Sequence, residues 1–127
     1  MNPQRIQRKR VKGWRMSEGA IYVGRPTRWG NPFTVMNGFK QGWLVWDDRD
    51  HLGLLPGYTT SDGFIASFAT KDEALANAVR RYKKWIRSDA RRCADLVPLL
   101  QGHDLACYCP LDKPCHADVL LELANKP

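Results

Sequence analysis

Several common signatures of function are missing from this chain, and each absence narrows its reading. No apolar run approaches the ~20 residues that a bilayer-spanning helix requires, and the segments rich in Leu and Val are broken by charged residues, Gly or Pro. The basic start, Met1 to Arg10, leads into no apolar stretch. It therefore does not read as a secretory signal, and the expected location is the cytoplasm. Neither GxGxxG nor GxxxxGK[ST] occurs, so a Rossmann or P-loop nucleotide site is not indicated. The deaminase pattern H-x-E with P-C-x-x-C and the nucleophile elbow G-x-S-x-G are absent as well. Cysteine and histidine are scarce, with four and three residues in a chain of 127.

Acids are almost lacking from the first forty residues. Glu18 stands alone there against Arg5, Arg8, Lys9, Arg10, Lys12, Arg15, Arg25, Arg28 and Lys40. The whole chain carries +7, so this stretch holds all the excess positive charge and the rest is close to neutral. Such asymmetry points to a polyanionic partner: nucleic acid, nucleotide phosphate or an acidic protein. The plainer alternative is a solvated tail that keeps the protein soluble. Residues 1–12 are expected to form a flexible basic segment ahead of one globular domain over 13–127.

Short β-prone runs occur at Ala20–Val23, Thr34–Met36, Gly42–Trp46, Phe64–Phe68 and Asp104–Cys109, bounded by Gly, Pro or Asn. The stretch near 47–63 reads as an irregular insertion. Thr70-Lys-Asp-Glu73 is a capping box. Leu75, Ala78, Val79, Tyr82 and Ile86 follow it at helical spacing, in a pattern reaching about Arg92. Arg80, Lys84, Arg87 and Arg91 fall on another face, which reads first as solvated surface. A last helix begins at Cys115 or His116. The expected fold is α/β or α+β: a small single domain with a short mixed sheet, a long amphipathic helix and a C-terminal helix.

Three of the four cysteines crowd into Leu105-Ala-Cys-Tyr-Cys-Pro-Leu-Asp-Lys-Pro-Cys-His116. Thiolate and imidazole are preferred zinc ligands, and Cys107, Cys109, Cys115 and His116 would close a tetrahedral site. Strand periodicity puts Cys107 and Cys109 on one face. Cys115 and His116 are neighbours, so both reach one ion only if the backbone turns sharply between them. His103 is the substitute ligand. A second reading makes Cys115 a reactive thiol at a helix N-terminus. A third leaves the cysteines as small buried apolar residues, as lone Cys93 reads best.

Gly24-Arg-Pro-Thr-Arg-Trp-Gly-Asn-Pro-Phe33 is the other dense segment. Arg25 and Arg28 can grip phosphate with forked donors. Trp29 and Phe33 offer stacking faces, and Asn31 can donate and accept at a base or sugar edge. The alternative is a rigid loop that caps the core.

Together, Ile21-Tyr-Val-Gly-Arg-Pro-Thr-Arg-Trp-Gly-Asn-Pro-Phe33 and Leu105-Ala-Cys-Tyr-Cys-Pro with Pro114-Cys-His-Ala-Asp-Val-Leu120 resemble a family of small bacterial and phage proteins. It is catalogued as domain of unknown function 4326. The resemblance implies one fold unit and a helix ending in a Tyr–Trp pair, matched by Tyr82 and Trp85. Residues 37–63 look longer than the compact family form. No established activity comes with the family.

The residues thus point to a zinc-binding protein that contacts nucleic acid or nucleotides through its basic half, without a membrane segment. The alternative is a nucleotide- or nucleoside-processing enzyme of glycosidase or transferase type, in which Asp118 or Cys115 acts. A third class is a phage adaptor that binds a host protein.

Overall fold

The computed structural model describes residues 2–49, 52 and 63–126. The chain forms a small mixed α/β domain from two short sheets and three α-helices. Among the described residues there are six strands: β1 (Arg5–Gln7), β2 (Ile21–Tyr22), β3 (Phe33–Asn37), β4 (Trp43–Asp47), β5 (Phe64–Phe68) and β6 (Leu105–Cys107). The α-helices are α1 (Lys71–Ser88), α2 (Ala90–Asp95) and α3 (His116–Ala124). Most of the 47–63 insertion lies outside the described residues. Among the described residues, no helix is long and apolar enough to cross a membrane.

One mixed sheet was the expectation; the strands instead sort by direction into two sheets. β3, β4 and β5 are consecutive and pair antiparallel, with Val35 opposite Val45 and Val45 opposite Ala66. β1, β6 and β2 pair in that order, all parallel, with Arg5 and Ile21 both opposite Leu105. The break between sheets falls in the 24–32 loop, where Pro26 and Pro32 lack the N–H that a ladder needs.

β1 carried no sequence signal, because its only apolar residue is Ile6. It lies inside the segment read as a flexible basic arm. Its ladder continues past both ends: Leu105 N–H donates to the Gln4 carbonyl (3.0 Å), and Arg8 N–H to that of Cys107 (2.8 Å).

Thr70 caps α1 as expected, with Glu73 N–H donating to Thr70 Oγ1 at 3.2 Å, while the Glu73 carboxylate accepts from the Thr70 hydroxyl at 2.9 Å. The helix buries Ala74, Ala78, Tyr82 and Ile86 against the core. It stops at Ser88, short of the expected Arg92. Asp89 is extended there (φ −92°, ψ 93°) and its carboxylate caps α2 by accepting from Arg92 N–H at 3.0 Å. The core joins Val23, Val45, Tyr82, Ile86, Leu100, Leu105 and Leu120, all fully buried, so both sheets share one interior.

Candidate metal centre and adjoining cavity

The three parallel strands deliver their carboxyl ends to a single edge: Gln7 and Arg8, Tyr22 and Val23, Cys107 and Tyr108. That edge is where open parallel sheets bind ligands. β6 ends on Cys107, and Cys109 follows on the same side, its Sγ 3.8 Å from that of Cys107. The Pro110–Pro114 loop then returns the chain to Cys115, the N-cap of α3. The Sγ atoms of Cys107, Cys109 and Cys115 lie within 4.8 Å of one another. A tetrahedral zinc with Zn–S bonds of ~2.3 Å spaces its sulfurs ~3.8 Å apart, so the cluster needs little adjustment to close on an ion.

Cys115 is extended (φ −149°, ψ 145°) and His116 is the first helical residue, so the backbone turns sharply between them. That turn brings His116 Nδ1 to 3.7 Å from Cys115 Sγ. His116 is buried and its Nε2 lies 2.8 Å from the Val23 carbonyl. A carbonyl only accepts, so the proton sits on Nε2 and Nδ1 keeps its lone pair toward the cysteines. Metal-ligating histidines are held in the same manner. His116 reaches the sulfur group through Cys115, while the tight cluster is the three sulfurs alone. His103 is elsewhere: its Nδ1 lies 2.7 Å from the Gly19 carbonyl, in a hollow with Asn2, Gln4 and Asp104. Cys93 sits half-buried on α2, apart from the cluster.

The cluster is electrostatically uneven. The Cys109 and Cys115 thiols both donate toward Cys107 and hold it well below the ordinary thiol range, against the opposing effect of burial. The same contact with Cys107 pushes Cys109 and Cys115 up, and burial adds to both. Burial also lowers the His116 pKa and keeps its ring neutral. Thiols must lose their protons to ligate a metal, so an ion held by the three cysteines would release protons as it binds.

Sequence reasoning missed the residue that holds this loop. Arg5, on β1, donates through one guanidinium nitrogen to the carbonyls of Pro110 (3.3 Å), Leu111 (2.7 Å) and Lys113 (2.9 Å). Its side chain is only 9% exposed, and the other terminal nitrogen lies 3.4 Å from Asp118. Arg5 was hidden in a run of cations; only its place beside Ile6 distinguishes it. Asp118 is ion-paired with Arg5 and does not line the neighbouring cavity.

That cavity has a volume of about 420 Å³ and a largely apolar wall. Cys107, Cys109, Cys115 and His116 form one side; Arg25 and Asn31 contribute from the loop after β2, and Phe33 from the start of β3. The two dense sequence segments therefore face each other. Arg25 is fixed by donating to the Asn31 carbonyl (2.8 Å) and Thr34 Oγ1 (2.6 Å). A Cβ at Gly24 would meet the Tyr22 hydroxyl at 2.5 Å, so a larger residue there would push the Tyr22 ring aside. Asn31 spends its amide on the backbone: Oδ1 accepts from Phe33 N–H (2.8 Å), and Nδ2 donates to the Ala78 carbonyl (3.4 Å). Arg28 lies in a separate hollow with Asp89, Arg91, Arg92 and Asp95. Trp29 packs on the core, its indole donating to the Leu96 carbonyl at 3.1 Å.

The family catalogued as domain of unknown function 4326 matches residues 6–126. The chain belongs to that family. No curated protein and no solved structure matches it. In this member of domain of unknown function family 4326, the Tyr82–Trp85 pair ties the two motifs together. The Tyr82 hydroxyl donates to the Trp29 carbonyl at 2.7 Å, and its ring meets His116 edge-on at 5.1 Å. Trp85 packs against Tyr82 at 5.9 Å.

Proposed function

We propose that the protein binds zinc through Cys107, Cys109, Cys115 and His116, and that the cavity beside the metal receives a nucleotide, free or within nucleic acid. The observation that carries this reading is the convergence of three sulfurs on the wall of a cavity that also presents Arg10 and Arg25. The apolar side of the cavity suits a base, and guanidinium groups suit its phosphate. Metal analysis of protein purified from zinc-supplemented cells is the first test. About one zinc per chain supports the reading, and its loss in Cys107→Ser and Cys115→Ser ties the ion to the cluster. Cobalt substitution then reads the donor set, since sulfur-to-metal absorption appears only with thiolate ligands. Stabilisation by nucleoside monophosphates in a thermal-shift assay tests the cavity.

A second reading rests on the tight cluster excluding His116. Three protein ligands leave the fourth position of zinc open toward the cavity, the form in which that ion activates water. Incubation of the zinc-loaded protein with nucleosides and nucleotides, followed by chromatography, separates enzyme from binder. No carboxylate lines the cavity among the described residues. The glycosidase-type alternative, which needs a paired carboxylate, therefore gains no support from this arrangement.

A further inference from the structure

We infer that Arg8, Arg10, Tyr22 and Tyr108 form a platform for single-stranded nucleic acid, which leads one unpaired nucleotide into the cavity beside the cysteines. The proposal rests on the nucleotide reading of that cavity and names the form in which the nucleotide arrives. The Arg8 guanidinium lies 4.6 Å from the Tyr22 ring centre and 5.5 Å from that of Tyr108. Arg10 lies 4.4 Å from the Tyr108 ring centre. The two tyrosines meet edge to face at 5.8 Å.

These two arginines differ from the others at the site in what they lack. Arg5 is engaged with the Pro110–Lys113 carbonyls and Asp118, and Arg25 with Asn31, Thr34 and Asp48. Among the described residues no carboxylate or other acceptor pairs with the side chain of Arg8 or Arg10. The tyrosine faces bias both guanidinium groups toward the rim, which reduces the side-chain freedom lost on binding. Donors held in this way suit phosphate oxygens, and the guanidinium plane itself can stack on a base.

Position supplies the rest. Arg8 N–H is bonded to the Cys107 carbonyl, Tyr22 ends β2 and Tyr108 follows β6. Arg10, Tyr22 and Tyr108 also line the cavity. The platform is thus the rim of the same hollow, at the carboxyl edge of the parallel sheet. The volume of about 420 Å³ sits near the small end of the ~300–1,000 Å³ range of ligand pockets, room for one nucleotide. A base within a duplex cannot enter without unpairing, so a single strand is the form that fits. The other basic hollow, with Arg80, Lys83, Lys84 and Arg87 on α1, has no aromatic in its wall and serves as an internal control.

Fluorescence anisotropy of the metal-loaded protein with a labelled oligothymidylate, an oligouridylate and a matched duplex, at several salt concentrations, tests this. Both single strands, or either, are expected to bind more tightly than the duplex. The double variant Arg8→Gln, Arg10→Gln is expected to weaken single-strand binding about tenfold and to flatten the log–log salt slope by about 1.4, two contacts at ~0.7 each. Tyr108→Leu is expected to weaken it about fivefold by unseating both guanidinium groups. The charge-matched control Arg80→Gln, Arg87→Gln should stay within about twofold, since it removes the same charge away from the platform. Circular dichroism and metal content verify that each variant is folded. Equal weakening in the control, equally tight duplex binding or no oligonucleotide binding at all overturns the platform. Stabilisation by mononucleotides without oligonucleotide binding would overturn it while leaving the nucleotide cavity standing. Platform-dependent binding of the oligomer without stabilisation by free mononucleotide would support the platform and remove the free-nucleotide reading.

Discussion

The antiparallel sheet is built from three five-residue strands that follow one another along the chain. The parallel sheet joins strands of three, two and three residues drawn from opposite ends, so that Gln4 meets Asp104 across 100 residues of sequence. Consecutive antiparallel strands close their connections at an entropic cost that grows only slowly with length, whereas parallel strands need crossovers and pair slightly less favourably per residue. The parallel sheet therefore depends more on what clamps its ends. One clamp is the Arg5 guanidinium on the Pro110–Lys113 loop; an ion held by the cysteines would add a second between β6 and α3. The candidate site sits on the sheet that most needs tying together.

The largest effects expected from this difference come from the two sheet centres. Leu105 and Val45 are both fully buried at the middle of a three-stranded sheet. Leu105→Ala should cost about 2–5 kcal/mol, and Val45→Ala about 2 kcal/mol. Urea titration reads both. The sharper readout is metal: Leu105→Ala should lose zinc affinity out of proportion to its stability, while Val45→Ala should retain it. Equal metal affinity in two equally destabilised samples would show that the cluster does not depend on the parallel sheet.

A smaller contrast is carried by two arginines, Arg5 on β1 and Arg49 in the turn after β4. Arg5→Ala strands three loop carbonyls that share a nearly buried charged donor, and should cost about 2–3 kcal/mol. Arg49 pairs with Asp47 at 2.7 Å on β4, but its side chain is 28% exposed, so Arg49→Ala should cost under about 1 kcal/mol. Thermal melts with and without chelator separate the two, because only Arg5→Ala should shorten the time for which zinc is retained. A zinc off-rate unchanged in Arg5→Ala would remove the clamp role.

How much of this was legible in the sequence varied with the range of the interactions. α1, its capping box and its buried Ala78, Tyr82 and Ile86 follow from spacing, which is local information. Cys107 and Cys109 do share a side, but not as strand neighbours: β6 ends at Cys107 and a bend beyond it brings Cys109 back toward it. β1 could not be read, because Arg5-Ile-Gln7 has no alternation and is ordered only by β6, far along the chain. The end of α1 at Ser88 was missed because Asp89 can cap a new helix as readily as it can sit in an old one. In the loop, residue types suggested ligand contacts for Asn31 and Trp29, yet both are committed to backbone carbonyls. Density of chemically able residues marked a segment that borders the cavity with Arg25, Asn31 and Phe33. It could not say which side chains face the cavity and which brace it.

Tyr82 offers the finest test of how the two sheets are coupled, since α1 packs on the antiparallel sheet while the Tyr82 ring meets His116. Its hydroxyl donates to the Trp29 carbonyl in the loop between β2 and β3. Tyr82→Phe keeps the ring and leaves that carbonyl without its donor, at a cost of about 1–2 kcal/mol near neutral pH. Burial raises the Tyr82 pKa well above its ordinary value, so the folded phenol stays protonated where an unfolded one ionises. The unfolded state then binds fewer protons, and the contribution of Tyr82 to stability, full below about pH 10, is lost as pH rises beyond it. Phenylalanine does not titrate. The stability gap between the parent and Tyr82→Phe should therefore narrow as pH climbs past about 10. Tyr22, whose pKa is also raised mainly by burial, stays in both proteins and cancels from the difference. A gap that stays constant across that range would mean that the Tyr82 environment is no drier folded than unfolded, and that α1 does not seal the parallel edge against the antiparallel sheet.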